Sequence, residues 1–118
     1  MLHSMNLNAS PFERIKSGKK IIEIRLFDEK RQLLNLGDII NFSRLPDSEE
    51  LTVQVLTVKV TGLLHYQTFV DLVNDLPMVY FGYPDDSDRD SFIKSIYNIY
   101  TSEQEEKYGV LGIKIKLI

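Results

Sequence analysis

Apolar and polar residues alternate in several short runs, and each run predicts a strand with one buried face. Met1 to Leu7 alternates weakly through Leu2, Met5 and Leu7, predicting a short first strand with His3 as a surface or supporting residue. Ile22, Ile24 and Leu26 alternate with Ile21, Glu23, Arg25 and Phe27, which predicts a strand over 20–27. The turn Leu36-Gly37-Asp38 precedes Ile39, Ile40 and Phe42, a strand over 38–43 that Pro46-Asp47-Ser48 ends. Leu51, Val53 and Val55 keep one phase and Leu56, Val58 and Val60 the other, so the strand predicted over 51–61 must bulge or bend. Small barrels bend long strands in this way, and Gly62 is read as the point where the chain leaves the strand. Val110, Ile113, Ile115 and Leu117 against Lys114 and Lys116 predict a last strand over 109–117 with one buried and one basic face.

Helical spacing fills the gaps between these runs. Ser10-Pro11-Phe12-Glu13 reads as a capping box with proline at the first helical position, and predicts a helix near 11–17. Phe12 and Ile15 form its inner face, Arg14 and Lys16 project outward, and Gly18 ends it. Asp28 is placed to cap a turn running through Arg31 to Leu34. Thr68 caps a helix over 68–76 carrying Phe69, Leu72, Val73 and Leu76, which Pro77 closes. A further helix over 88–100 begins at Ser87 or Asp88 and aligns Phe92, Ile93, Ile96, Tyr97 and Tyr100, and Ser102 with Glu105 resembles a second capping box. Between the last two helices, residues 78–90 form a loop with Tyr80, Phe81 and Tyr83, aromatics that either pin the loop to the core or stack on a base. Its acidic tip lacks the spacing and glycine of a calcium loop and reads as a helix N-terminal charge cluster. The elements together imply an α+β fold, a five- or six-stranded curled sheet with flanking helices, in a single domain over 1–118.

Charge changes this picture at one place. The chain carries a net charge of −3, yet residues 14–31 hold seven Lys/Arg against three Asp/Glu, so a basic patch sits on an acidic body. Within it Glu23 and Arg25 share a strand face, and Lys20 stands at the strand's mouth. Such a set either forms an ordinary surface ion pair, contributing ~0–1 kcal/mol, or presents an acceptor beside a fork of donors to a ligand. A concave, partly buried cluster separates the second case from the first. The acidic balance argues against tight binding to long nucleic acid, whose affinity scales with the phosphates neutralised, and suits a short or single-nucleotide ligand. No cysteine is present, and His3 and His65 have no metal-ligand spacing, so neither disulfides nor a metal site is expected. No apolar run reaches membrane-spanning length, no leader-like segment opens the chain, and cytoplasmic residence without a membrane partner is expected.

Gly18, Lys20, Glu23 and Arg25 spell Gly-x-Lys-x-x-Glu-x-Arg, which resembles the signature of the ASCH domain family. Pro11-Phe12, Ile15-Lys16, Asp28-Glu29-Lys30-Arg31, Leu36-Gly37-Asp38 and Tyr108-Gly109-Val110 agree with the pattern of its bacterial members, so the match spans nearly the whole chain. The resemblance implies a PUA-like pseudo-barrel. It also implies an RNA, nucleoside or nucleotide ligand in a cleft between barrel and helix, with Lys19, Lys20, Glu23, Arg25, Lys30 and Arg31 as candidate contacts and no cofactor. One branch of the group hydrolyses the acetyl amide of acetylated cytidine with a lysine, a threonine and a later glutamate. Here Lys20 matches the lysine, but Glu23 stands where that branch has threonine, and Asp71, Asp75 and the acidic loop all remain open as the later carboxylate. A nucleophilic lysine must lose its charge, and an adjacent carboxylate favours the ammonium. The sequence therefore predicts a binding module first and an amidohydrolase using Lys20 and Glu23 second. A structural or protein-interaction module stands third, since core packing alone satisfies every pattern outside the charged stretch.

Overall fold

The computed structural model describes residues 1–46 and 53–118. Five strands, β1 (Leu2–Leu7), β2 (Ile22–Leu26), β3 (Ile39–Arg44), β4 (Val55–Tyr66) and β5 (Val110–Leu117), form one sheet in the order β1-β3-β4-β5-β2. β1 pairs parallel with β3 and the other neighbours pair antiparallel, so the sheet is mixed. Its helices are α1 (Ala9–Lys16), α2 (Phe69–Asp75), α3 (Arg89–Tyr97) and α4 (Ser102–Tyr108), with 3₁₀ turns at Arg31–Leu33 and Met78–Tyr80.

The sheet has apolar cover on both faces. Met5, Leu7, Ile40, Phe42, Val58, Val60, Leu111, Ile113 and Ile115 fill the inside of the curl, closed by Phe12 and Ile15 of α1. Ile22, Leu26 and Val110 look the other way, onto Phe69, Leu72 and Val73 of α2, Ile96 of α3, and Met78 and Phe81 of the segment between those two helices. β5 is thus covered on both sides over its first half, where a side chain at Gly112 would meet Leu72 Cδ1 at 3.3 Å. The single basic face expected for this strand is confined to its end, at the exposed Lys114 and Lys116.

β1 and β2 are the free edges, and side chains join them. In its parallel pairing β1 offers the Met1 and Leu7 carbonyls to the Ile39 and Leu45 amides, leaving those of Ser4 and Asn6 on the outer edge. Arg25 of β2 donates from Nη2 to Asn6 O at 2.7 Å, and Lys30 Nζ donates to Ser4 O. The sheet is therefore a half-barrel, closed along its seam by cations instead of strand pairing.

Several local expectations are corrected. α1 begins at Ala9 with Asn8 as its N-cap, so Ser10 does not cap it and its Oγ accepts from Arg14 Nη1. Proline is tolerated inside this first turn because the missing N–H would have no intrahelical partner there. The second capping box is Thr101 with Gln104, at 3.1 Å from Gln104 N to Thr101 Oγ1 and 2.9 Å for the return bond. Glu105 instead turns inward. β4 runs through Gly62 to Tyr66, and its register against β5 shifts between Val60 and Gly62, so the bulge is at Thr61. That extra residue switches the inward positions from Val58 and Val60 to Leu63. The phase change expected between Val55 and Leu56 has another origin, since Val53 and Val55 are simply exposed, and residues 47–52 lie outside the described residues. His3 is buried and hydrogen-bonds Asp38 Oδ2 at 2.8 Å, so it is part of the packed interior.

Candidate functional site

Strand alternation puts Ile22 and Leu26 under α2 and α3, which turns Glu23 and Arg25 to the opposite face, toward the seam. Gly18, at φ 80, ends α1 and lets the chain reverse into β2. Lys20 is then fixed by its backbone: its N–H donates to Arg14 O at 2.9 Å, it bridges to Phe81, and the Ile21 N–H donates to Tyr80 O at 2.9 Å.

The three charged side chains meet. Lys20 Nζ lies 2.8 Å from Glu23 Oε1, and Arg25 reaches Glu23 Oε2 with Nη2 at 2.9 Å and Nε at 3.0 Å. Lys20 and Glu23 are only 7% and 5% exposed, so this is no surface pair. Burial alone raises the Glu23 pKa, but the adjacent Lys20 and Arg25 charges and their hydrogen bonds more than reverse it, holding the carboxyl below its ordinary 4.5. The site therefore carries an ionised carboxylate clamped between two cations.

This triad forms one wall of a cavity of about 430 Å³ at the seam. Asn6, Asn8, Ser10 and Arg14 add polar groups from β1 and α1, while Tyr83, Phe92, Ile96, Ile99 and Tyr100 supply an aromatic and aliphatic wall. Burial pushes the Tyr100 phenol up, against the opposing Arg25 charge, so the hydroxyl stays protonated at neutral pH. Three lining cations face one lining carboxylate.

The six residues singled out from the sequence divide. Lys20, Glu23 and Arg25 line the cavity together. Lys19 is exposed on the turn, Lys30 is bound to Ser4 O, and Arg31 pairs with Asp28 Oδ2 at 3.1 Å while its N–H takes the expected Asp28 cap. Asp71 and Asp75 belong to a separate open depression beside Tyr66, whose hydroxyl donates to Asp75 Oδ2 at 2.7 Å. Asp88 caps α3. Among the described residues Glu23 is the single carboxylate lining the cavity, and none forms a cluster of three or more candidate metal ligands. No helix among them is long and apolar enough to cross a membrane.

Arg14 and Tyr83 are the site residues that periodicity misplaces. The 78–90 loop is pinned by the buried Met78 and Phe81, as core packing requires, but Tyr83 lines the cavity with the Arg14 guanidinium 4.6 Å from its ring centre. Gly82, at φ 87, allows this contact, because a Cβ there would sit 2.8 Å from Arg14 Cδ and 3.1 Å from Lys20 Cβ. Paired positions so distant in sequence leave only the glycine as a local signal.

Comparison with known proteins agrees with this fold. The hypothetical protein PH0355 superposes with a TM-score of 0.83 at 35% identity, with both chains fully covered. Protein PF0455 from Pyrococcus furiosus superposes with a TM-score of 0.74 at 30% identity, covering all of this chain and 98% of the other. No curated protein sequence matches the chain. The ASCH domain model matches residues 5–118, and the chain belongs to the ASCH domain family.

Proposed function

We propose that the seam cavity binds a nucleoside, a nucleotide or one unstacked residue of an RNA strand. The observation that carries this reading is the buried, concave Lys20-Glu23-Arg25 triad, which a surface ion pair would not require. Its volume, about 430 Å³, suits a base with its sugar and not a stretch of duplex. Lys20 and Arg25 supply donors for carbonyl or phosphate oxygens, Glu23 accepts from an exocyclic amine, and Tyr83, Phe92 and Tyr100 offer ring faces or edges to a base.

A reader is favoured over a catalyst. Lys20 Nζ is engaged by the Glu23 carboxylate at 2.8 Å, which presents it as a donor, and no second carboxylate lines the cavity among the described residues. Titration of the protein with cytidine, acetylated cytidine and short RNA, followed by amide chemical shifts, should move Lys20, Glu23, Arg25 and Tyr83 together. Binding of the RNA should weaken with salt as expected for about 1–2 neutralised phosphates. Shifts confined to Lys114 and Lys116, or none, would overturn the reading. Release of acetate from acetylated cytidine, lost in Lys20→Ala and Glu23→Gln, would make the site catalytic.

A further inference from the structure

We infer that Arg14 is the anion receptor of the cavity, holding the phosphate of a nucleotide whose base lies against the aromatic wall. This rests on the cavity being a ligand site. Lys20 and Arg25 each direct charged donors onto Glu23, and Arg25 also spends Nη2 on Asn6 O, so much of their field is already cancelled. Arg14 differs. Among the described residues no carboxylate lies within ion-pair distance of it, and its buried Nε has no hydrogen-bond partner. A cation that lines the cavity with no counter-ion among the described residues points to an anion that arrives with the ligand.

The setting is built on three sides. Ser10 Oγ accepts from Nη1, the guanidinium carbon lies over the Tyr83 ring, and Gly82 clears the space for Cδ. A guanidinium placed over a ring keeps its remaining N–H groups for a planar or tetrahedral oxyanion, which arginine can bind through two parallel bonds. Lysine, a point charge on a flexible stem, cannot supply that fork. A phosphate ester is the matching chemistry, because the ring faces nearby take the attached base and the net positive lining favours the anion.

The test is calorimetric titration of cytidine and of cytidine 5′-monophosphate into wild type, Arg14→Gln, Arg14→Lys and Lys20→Met at low salt. The readout is the ratio of the two affinities, so any loss common to both ligands cancels. Wild type should prefer the monophosphate by about tenfold or more, as one charge-assisted bidentate contact provides. Arg14→Gln should reduce that preference to about threefold or less, and Arg14→Lys should retain an intermediate value. An unchanged ratio in Arg14→Gln, or a ratio lost only in Lys20→Met, would move the phosphate to the triad and overturn the inference. Equal wild-type affinities would overturn it while leaving the cavity reading intact. Failure of both ligands to bind would overturn both.

Discussion

Removing the Glu23 carboxylate leaves Lys20 and Arg25 facing each other at a buried site, with no anion to offset their desolvation. Breaking a buried pair in this way typically costs about 3–5 kcal/mol, against ~0–1 kcal/mol for an exposed one. Glu23→Ala should therefore lower the urea midpoint by an amount in the larger range. A change below ~1 kcal/mol would return the triad to the class of surface pairs. The same carboxylate sets an acid limit. Its folded pKa lies below the ordinary 4.5, so the folded protein releases this proton more readily than the unfolded chain. The contribution is complete above pH 4.5 and is lost as pH falls below it toward the folded value. Asp38 adds to this at lower pH, since hydrogen bonds from His3, the Asn35 amide and the N-terminus depress it from 3.8 to about 2. Its share is full above pH 3.8 and lost as pH falls through about 2. Unfolding curves at fixed urea should show stability declining below pH 4.5 in wild type, with a shallower decline in Glu23→Gln.

At the scale of elements, Glu105 does what its position in α4 conceals. Its Oε2 accepts from the buried Phe69 N–H at 2.8 Å and from the Tyr97 hydroxyl at 2.6 Å, so one side chain of α4 joins the start of α2 to the end of α3. Burial and the Glu105 bond together push the Tyr97 phenol up to about 12. α2 has only seven residues, too few to hold helical form without tertiary support, and it roofs β5 and the loop that carries Phe81 and Tyr83. Glu105→Ala should destabilise the protein by about 1–3 kcal/mol, the cost of an unsatisfied buried donor. Hydrogen exchange should accelerate first at the Phe69–Asp75 amides. Uniform acceleration, or none, would show that α2 does not depend on this anchor. The sequence displayed the helix and its Thr68 cap. It could not display this anchor, because its two ends are 36 residues apart and Glu105 sits among exposed charges of the same kind.

Across the whole molecule, Arg25 serves the seam and the cavity at once. It ties the edge strand β1 to β2 through Asn6 O, and the space beside that tie is the cavity. Arg25→Met should thus loosen the seam, raising exchange of amides in β1 while leaving the central β4–β5 pairing protected. Equal loss of protection in both places would mean that Arg25 supports the fold globally and does not act as a local closure. The net charge of −3 sets an acidic body around this basic lining, which disfavours the many-phosphate contacts of long nucleic acid.

Alternation and capping residues determined the strands and helices, because each depends on neighbours within a few positions: β2, β3 and β5 lie where period-two runs place them, and Asp28, Thr68 and Asp88 all cap as their sequence context implies. The signature also determined that Glu23 and Arg25 share a face with Lys20 beside it. Burial of that face was decided by the curl, which brings β1 and α3 over residues that local patterning leaves equally compatible with solvent. The Thr61 bulge, the inward turn of Glu105 and the seating of Arg14 on Tyr83 were likewise decided by contacts between distant segments. Those contacts exist only once the edges of the sheet have met, and no local periodicity encodes where a cation will find its carboxylate.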